Sequence, residues 1–160
     1  MKEKRSGASC VVFEGRIVVT GGFNNNNGDL NTVEVYDHID DSWTNMPNMV
    51  ETRSDYKTVA IKNKLFIVGV YFNTYIEVFD SCSNNFVLLK NTFRSLRHTY
   101  VSDITTLGNR ILIFNNNNGY EQIYDVESGE WIETICRSLQ HIKFFSCAKI
   151  PKLQWKQCRL

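Results

Sequence analysis

The sequence has little proline, little glycine and no long apolar segment. Its 160 residues include two prolines and nine glycines. No stretch approaches 18 consecutive apolar residues, the length that a membrane-spanning helix needs. The charged N-terminal residues are followed only by the short apolar run at 11–13, which is too short for the core of a signal peptide. These absences predict a chain that does not associate with membranes.

An excess of charge of one sign is also missing. The chain has 18 lysines and arginines against 17 aspartates and glutamates, a net charge of +1. Nucleic-acid-binding proteins usually carry a strong basic excess, so we expect no nucleic-acid partner. The sequence has no P-loop, no GxGxxG and no Gly-x-Ser-x-Gly motif. Its three histidines, His38, His98 and His141, lie far apart. We therefore expect no catalytic residue, no cofactor and no metal, and predict that the protein is not an enzyme.

The five cysteines form no CxxC pair: Cys10, Cys82, Cys136, Cys147 and Cys158. An odd number of cysteines without a signal peptide is typical of free thiols in a reducing compartment. We expect most of them to be buried as small apolar residues. The sequence also lacks an Asn-x-Ser/Thr glycosylation site. A cytoplasmic location is therefore expected.

Three segments of the chain repeat one another with a period of about 45 residues. An aliphatic residue recurs at intervals of 48 and 46 residues, and an aromatic residue recurs at intervals of 43 and 45: Ile17, Leu65 and Ile111; Tyr36, Phe79 and Tyr124. Short runs of Val, Ile, Phe, Tyr and Thr in each unit predict about four antiparallel strands and no helix. Four-stranded units of this period are typical of an all-β fold, the β-propeller.

The turns of each unit repeat as well. Glycine or asparagine follows the first predicted strand, at 14–15, 62–63 and 108–109, and both residue types tolerate the positive φ of a two-residue hairpin turn. An aspartate follows the aromatic of each third strand: Asp37, Asp80 and Asp125. Because these aspartates recur with the period, we expect them to bond backbone N–H groups in turns. Trp43, Phe86 and Trp131 are predicted to open the fourth strands.

The first unit resembles a kelch repeat. The resemblance rests on VTGG at 19–22, VEVYD at 33–37 and Trp43. RSGA at 5–8 and MPNM at 46–49 further resemble the kelch domains of Kelch-like (BTB-BACK-kelch) proteins. In the later units the glycine pair has become Gly69-Val70 and then Asn115-Asn116. The resemblance, which covers about residues 5–135, implies blades of a propeller that close less regularly at these two positions.

The predicted fold is a partial kelch β-propeller of about three four-stranded antiparallel blades plus the start of a fourth. We predict one domain, 1–160, with repeats at about 5–50, 51–95 and 96–140 and an incomplete repeat at 141–160. Propellers typically close with four to eight blades. Three explanations stay open: a fragment of a longer protein, a dimer that completes a six-bladed ring, or an open arc. An open arc would leave apolar blade faces uncovered.

The candidate partner-binding residues lie where the repeats differ. The resemblance implies that a peptide of a partner protein binds the loops at 23–31, 71–75 and 115–120 and the segments that connect the blades. The candidates are Arg5, Ser6, Arg53, Ser54, Arg97, His98, Tyr71, Phe72, Tyr75 and Tyr120. Arginine beside serine can bind an acidic or phosphorylated peptide, and tyrosine and phenylalanine are common interface anchors. The arginines could equally cap strands and bridge adjacent blades.

Two tracts of four asparagines, at 24–27 and 115–118, have no packing value and favour simple loop insertions, with a polar peptide contact as the alternative. The resemblance to Kelch-like proteins implies a substrate-recognition part of a cullin-RING ubiquitin ligase adaptor, which would reach the cullin through a BTB domain that these residues do not contain. Actin binding, a degenerate fragment without function, and a kelch-fold enzyme remain as alternatives.

Overall fold

A computed structural model describes residues 1–69, 76–89, 101–115 and 120–135. These residues form strands and turns and include no helix, and therefore none that could cross a membrane. Blade 1 consists of β1 (Ser9–Phe13), β2 (Arg16–Thr20), β5 (Val33–Asp37) and β6 (Ser42–Met46), and its loop contains β3 (Phe23–Asn24) and β4 (Gly28–Asp29). Blade 2 consists of β7 (Lys57–Ile61), β8 (Lys64–Val68), β9 (Ile76–Asp80) and β10 (Asn85–Leu89). Blade 3 consists of β11 (Val101–Leu107), β12 (Arg110–Asn115), β13 (Tyr120–Asp125) and β14 (Glu130–Ile135).

Each blade is a four-stranded antiparallel sheet whose strands follow one another in chain order. The first strands of the three blades lie side by side, with β1 next to β7 and β7 next to β11. The sheets therefore meet along their first strands, as the blades of a propeller do around its axis. This arrangement confirms the all-β partial propeller. The predicted start of a fourth blade, 141–160, lies outside the described residues.

The repeated aromatic residues form one cross-strand pair in each blade. Ring centroids are 5.1 Å apart for Tyr36 and Trp43, 4.9 Å for Phe79 and Phe86, and 4.9 Å for Tyr124 and Trp131. In each pair the two residues lie directly opposite each other on the third and fourth strands. Direct cross-strand aromatic pairs stabilise a sheet. The repeated spacing in the sequence thus reflects one packing unit that every blade uses.

Two apolar clusters hold the blades together. The cluster between blades 1 and 2 joins Phe13, Val18 and Val35 to Leu65 and Phe79. The rings of Phe13 and Phe79 meet edge to face, with centroids 6.0 Å apart.

The second cluster joins Phe66 and Val78 of blade 2 to Ile111, Ile113 and Tyr124 of blade 3. Each blade is therefore stabilised mainly by its neighbours, as in other repeat architectures.

Within the described residues, one face of blade 1 has no blade packed against it. Val12 and Ile17 pair across β1 and β2 on this face and are 67% and 41% exposed. Leu65, which occupies the place of Ile17 in blade 2, is completely buried. The exposure of these two side chains agrees with a blade that lacks a neighbour on this side, and the three explanations of the short chain stay predictions. Cys10 is exposed because it lies on this face, and Cys136, Cys147 and Cys158 lie outside the described residues, so the expected burial of most cysteines stays a prediction.

The turns match the predictions except in one detail. The carboxylates of Asp37, Asp80 and Asp125 each accept a hydrogen bond from the backbone N–H two residues later, at 2.9, 2.9 and 3.1 Å. Their predicted turn role is confirmed. The positive φ expected of the turn asparagine is wrong in unit two: Lys62, not Asn63, has a φ of 55°. The turn of unit two also contains Cys82, which is exposed.

The first asparagine tract forms a small hairpin, so the prediction of a loop without packing value is wrong there. Strands β3 and β4 pair Phe23 with Asp29 and Asn24 with Gly28. The carboxamide oxygen of Asn24 accepts hydrogen bonds from the backbone N–H groups of Asn26 and Asn27, at 3.1 and 2.7 Å. The side chain of Asn24 therefore stabilises the turn that the tract itself forms. Most of the second tract lies outside the described residues.

Candidate functional site

The candidate site is the end of blades 1 and 2 at which β2 finishes and β7 begins. Three segments form this loop face: 3–8, 21–32 and 48–56. Residue Ser9 at the start of β1 lies opposite Thr20 at the end of β2, and Thr20 lies opposite Val33 at the start of β5. The strand register thus brings the long β2–β5 loop and the N-terminal segment to the same end of the sheet.

Arg5 lies in the centre of the loop face with its side chain only 1% exposed. Its guanidinium donates hydrogen bonds to the carbonyl oxygens of Gly21 and Thr32, at 2.7 and 3.0 Å. It also contacts the carboxylate of Glu34, with 2.6 Å between Nη2 and Oε1. Because Gly21 and Thr32 stand at the two ends of the β2–β5 loop, Arg5 ties the loop together at its base.

Glu3 extends this network to the asparagine hairpin. Its carboxylate accepts hydrogen bonds from Thr32 Oγ1 at 2.8 Å, Asn24 Nδ2 at 2.8 Å and Asn27 Nδ2 at 3.2 Å. The hydrogen bond from Thr32 contributes most to lowering the pKa of Glu3. One carboxylate therefore fixes the hairpin to the loop base at neutral pH.

Blade 2 repeats the arginine–glutamate contact. Arg53 and Glu77 stand 48 and 43 residues after Arg5 and Glu34, and 3.6 Å separates Arg53 Nε from Glu77 Oε2. The backbone N–H of Val50 also donates to Glu77 Oε1, as that of Lys2 donates to Glu34 Oε2 at 2.5 Å. Each buried glutamate thus binds the segment that leads into its own blade.

Arg53 differs from Arg5 because its backbone binds the neighbouring blade. Its carbonyl accepts a hydrogen bond from the N–H of Gly22 at 2.8 Å, and its N–H donates to the carbonyl of Leu30 at 2.9 Å. Because its side chain contacts Glu77 in blade 2 and its backbone binds the loop of blade 1, Arg53 connects the two blades. Such contacts are those expected if the arginines cap strands and bridge adjacent blades. The guanidinium groups of Arg5 and Arg53 are both buried and do not face solvent.

The pKa values of the two glutamates are shifted in opposite directions, although burial raises the pKa of both. Burial raises the pKa of Glu34, but the backbone N–H of Lys2 and the guanidinium of Arg5 outweigh it, so the pKa is lowered overall. For Glu77, burial dominates and raises the pKa, because Val50 and Arg53 offset it only in part. The longer Arg53–Glu77 distance agrees with this difference. In blade 3 the same place is occupied by the neutral Gln122, which is also buried.

The glycine pair of blade 1 permits close contact between blades. Gly21 has a φ of 45°, and a Cβ built on it would lie 2.6 Å from the carbonyl oxygen of Arg53 and 2.6 Å from the hydroxyl of Tyr56. A Cβ on Gly22 would lie 2.7 Å from the carbonyl oxygen of Ser6. A side chain at position 21 would push the loop away from the segment that leads into blade 2, and one at position 22 would push it away from the N-terminal segment, which explains why glycine occupies both positions.

The structure describes four of the predicted site residues with their side chains. Arg5 and Arg53 are buried, Ser6 is exposed and Ser54 is half-buried. Ser6 pairs with Phe23 through two backbone hydrogen bonds, of 2.9 and 2.8 Å. Tyr120 begins β13, where it pairs with Ile135, and its side chain lies outside the description. So do Arg97, His98, Tyr71, Phe72 and Tyr75, whose binding role stays a prediction.

The two buried glutamates were not predicted from the sequence. Glu34 and Glu77 stand between two apolar residues in the third strand of their blades. A charged residue inside such a run, repeated at the same interval as an arginine, is a signal for a buried ion pair. Phe23 was predicted only as the first residue of the 23–31 loop, and it is 41% exposed at the base of the asparagine hairpin. Within the described ranges, no group of three His, Cys, Asp or Glu side chains could hold a metal ion.

Comparison with known proteins identifies the repeat. Residues 4–50 match the family model described as Kelch motif. The chain is 32% identical over 113 residues to the Kelch repeat-containing protein kel-10 of Caenorhabditis elegans, covering 60% of this chain and 20% of that protein. It is 35% identical over 69 residues to Kelch repeat and BTB domain-containing protein 1 of Camelpox virus (strain CMS), covering 41% of this chain and 12% of that protein.

The fold is similar to that of the solved structure of YjhT. The two superpose with a TM-score of 0.67 at 15% sequence identity, over 81% of this chain and 52% of that chain. The chain thus spans a fifth or less of the two curated relatives and about half of this neighbour. The chain thus has a kelch motif in its first unit, and its three described sheets, which meet along their first strands, have the fold of a partial kelch propeller.

Proposed function

We propose that the loop face of this protein-interaction module binds a peptide segment of a partner protein. The observation that carries the proposal is the attachment of the asparagine hairpin to Glu3 and Arg5. Through Glu3, the hairpin is joined to the same buried ion pair that holds the base of the loop. Binding loops are most effective when a rigid scaffold holds them in place.

The exposed residues of the asparagine hairpin suit a polypeptide partner. Phe23 offers an aromatic surface, and the neighbouring Asn25 and Asn26 are exposed amides. Asparagine side chains can donate to and accept from a peptide backbone, while an aromatic ring supplies contact area at low entropic cost. On this proposal, Arg5 and Arg53 position the loop face and do not touch the partner.

Affinity capture from cells tests the proposal. The chain with Phe23→Ala, Asn25→Ala and Asn26→Ala is compared with wild type as bait, and bound proteins are quantified by mass spectrometry. We expect at least a tenfold loss of a reproducible partner. The control carries Ile39→Ala and Asp40→Ala in the exposed β5–β6 turn, at the opposite end of blade 1, and should retain the partner. Equal loss in both variants, or in neither, would contradict binding at the loop face.

The finer proposal is that the bound protein is a substrate of a cullin-RING ubiquitin ligase in the cytoplasm. Its support is the similarity to a relative whose name includes a BTB domain, because the Kelch-like proteins that this chain resembles are such adaptors. A tag placed on the gene at its own locus allows capture of the native product. Recovery of a cullin together with the loop-face partner is expected, whereas recovery of actin without a cullin would favour the actin-binding alternative.

A further inference from the structure

Both asparagine tracts end in an asparagine that is followed by glycine. These are Asn27 before Gly28 and Asn118 before Gly119, and no other asparagine of the sequence precedes a glycine. The second pair lies outside the described residues. An asparagine before glycine is especially prone to deamidation, because a residue without a side chain lets its backbone nitrogen approach the asparagine carboxamide closely. Asn27 is therefore the described asparagine most prone to this reaction.

The surroundings of Asn27 leave room for deamidation. Asn27 is exposed, and a Cβ built on Gly28 would meet no atom within 4 Å. The neighbours Asn25 and Asn26 are exposed as well, but each precedes another asparagine, whose side chain hinders the same attack. Water can therefore reach the carboxamide of Asn27, and the residue that attacks it carries no side chain in the way.

The carboxamide of Asn27 is bound to a carboxylate. Its Nδ2 donates a hydrogen bond to Glu3 Oε1 at 3.2 Å, and Asn24 Nδ2 donates to the same oxygen at 2.8 Å. The hydrogen bond from Thr32, followed by that from Asn27, lowers the pKa of Glu3, so its carboxylate is charged at neutral pH. A negative charge at position 27 would therefore replace an attraction to Glu3 by a repulsion.

Deamidation would supply this negative charge. The backbone nitrogen of Gly28 attacks Cγ of Asn27, and the carboxamide nitrogen leaves as ammonia with the proton that Gly28 gives up, so that a cyclic succinimide remains. Water then opens the ring at either carbonyl and yields aspartate or isoaspartate. In both products a carboxylate, which only accepts hydrogen bonds when ionised, takes the place of the donor to Glu3. Isoaspartate also lengthens the main chain directly before β4 begins at Gly28.

We propose that Asn27 is a site of spontaneous deamidation and that its conversion to a carboxylate weakens the attachment of the asparagine hairpin to Glu3. The base of the loop stays in place, because the buried pair of Arg5 and Glu34 does not involve Asn27. The hairpin carries the exposed residues of the loop face. The regulatory part of this inference therefore rests on the proposed function: partner binding decreases as the chain ages.

Timed incubation of the full chain at neutral pH and physiological temperature tests the modification site. Peptide mass spectrometry quantifies the mass gain at each asparagine of the tract, and an isoaspartyl methyltransferase labels the isoaspartate product. We expect Asn27 to convert at least tenfold faster than Asn25 and Asn26, which are internal controls. Gly28→Ala should slow the conversion of Asn27 at least tenfold. Equal rates for the three asparagines, or an unchanged rate in Gly28→Ala, would overturn the assignment.

Three variants test the effect of the charge. Asn27→Asp copies the aspartate product, and Asn27→Ala removes the hydrogen bond without adding a charge. We expect the pKa of Glu3, measured by NMR titration, to be highest in Asn27→Asp, and the order parameters of the backbone amides at 24–28 to be lowest there. In Asn27→Asp/Glu3→Gln the glutamine amide can donate to the new carboxylate, so these order parameters should rise again. Equal values in Asn27→Asp and Asn27→Ala would refute the repulsion.

Partner capture tests the regulatory effect. Fresh and incubated wild type are used as bait beside fresh and incubated Gly28→Ala. Incubated wild type should capture at least tenfold less of the partner than fresh wild type, whereas incubated Gly28→Ala should retain it. Undiminished capture by fully converted wild type would refute the regulatory effect. The proposed function fails separately if the variant with Phe23→Ala, Asn25→Ala and Asn26→Ala captures the partner normally, because the conversion rates and order parameters do not depend on a partner.

Discussion

Arg5 and Glu34 form an ion pair that is almost completely withdrawn from solvent, with 2.6 Å between Nη2 and Oε1 and side-chain exposures of 1% and 2%. Two charges in such surroundings stabilise the fold only while both are present, because a single buried charge has lost its hydration without compensation. The pair also joins the N-terminal segment to the third strand of blade 1. It is therefore the point at which the loop face is most sensitive to substitution.

Removing the arginine should destabilise the chain strongly. We expect Arg5→Met to lower the free energy of unfolding by roughly 3–5 kcal/mol, since Glu34 would remain buried without its cation. The matched control is Arg16→Met, because Arg16 contacts Glu14 at 4.0 Å on the surface and should cost less than about 1 kcal/mol. Denaturant unfolding measures both. Similar losses for the two variants would contradict the special role of the buried pair.

The two buried glutamates should give opposite pH dependences. The folded pKa of Glu34 is lowered, so its contribution is present above the unfolded pKa of about 4.3 and is lost as the pH falls through the folded value. The destabilisation caused by Glu34→Gln should therefore shrink on acidification.

The folded pKa of Glu77 is raised, so ionisation costs stability as the pH rises above the unfolded value. Relative to Glu77→Gln, wild type should lose stability between acidic and neutral pH. Unfolding of wild type and both variants in urea across this range measures the two slopes. Slopes of the same sign would show that the environments of the two glutamates are alike.

The glycine pair should tolerate no side chain. Gly21→Ala combines a φ of 45° with contacts of 2.6 Å, so we expect a loss of about 3 kcal/mol or more. Gly28→Ala is the matched control, because Gly28 has a φ of 72° and no atom within 4 Å of a new Cβ. It should lose only about 1 kcal/mol. Thermal or denaturant unfolding distinguishes the two, and equal losses would mean that backbone strain alone explains the glycines.

The uncovered face of blade 1 should promote self-association. Val12 and Ile17 are exposed, whereas the corresponding residues of blade 2, Ala60 and Leu65, are half-buried and completely buried. We expect the average molar mass in solution, measured by light scattering after size-exclusion chromatography, to rise with concentration in wild type and less in Val12→Thr/Ile17→Thr. Ile39→Thr, which removes an isolated exposed side chain from a turn, should behave like wild type. A concentration-independent monomer mass in wild type would refute self-association through this face.

Much of the fold could be predicted because the same sequence pattern recurs in each of the three units. The spacing of Tyr36, Phe79 and Tyr124 located the third strands, and the aspartate after each aromatic located the turns. Local preferences and a repeated pattern are sufficient for such features. The positive φ at Lys62 could not be read in the same way, because the requirement of the turn overrides the reluctance of lysine to adopt it.

The candidate site was less predictable because it depends on contacts between distant segments. Arginine beside serine suggested a binding residue, yet Arg5 is buried by Glu34, which lies 29 residues away. The asparagine tract looked like an insertion without structure, but Glu3 binds it from another segment.

The segment that leads into blade 2 is hydrogen-bonded to the loop of blade 1 at three points: Met49 N–H to Asn31, Arg53 N–H to Leu30, and Gly22 N–H to Arg53. The unit that repeats in the sequence therefore differs from the unit that folds, which extends several residues into the next repeat. A single sequence repeat, 5–50, taken out of the chain would leave the N–H of Gly22 and the carbonyl of Leu30 without the backbone of Arg53, their hydrogen-bond partner.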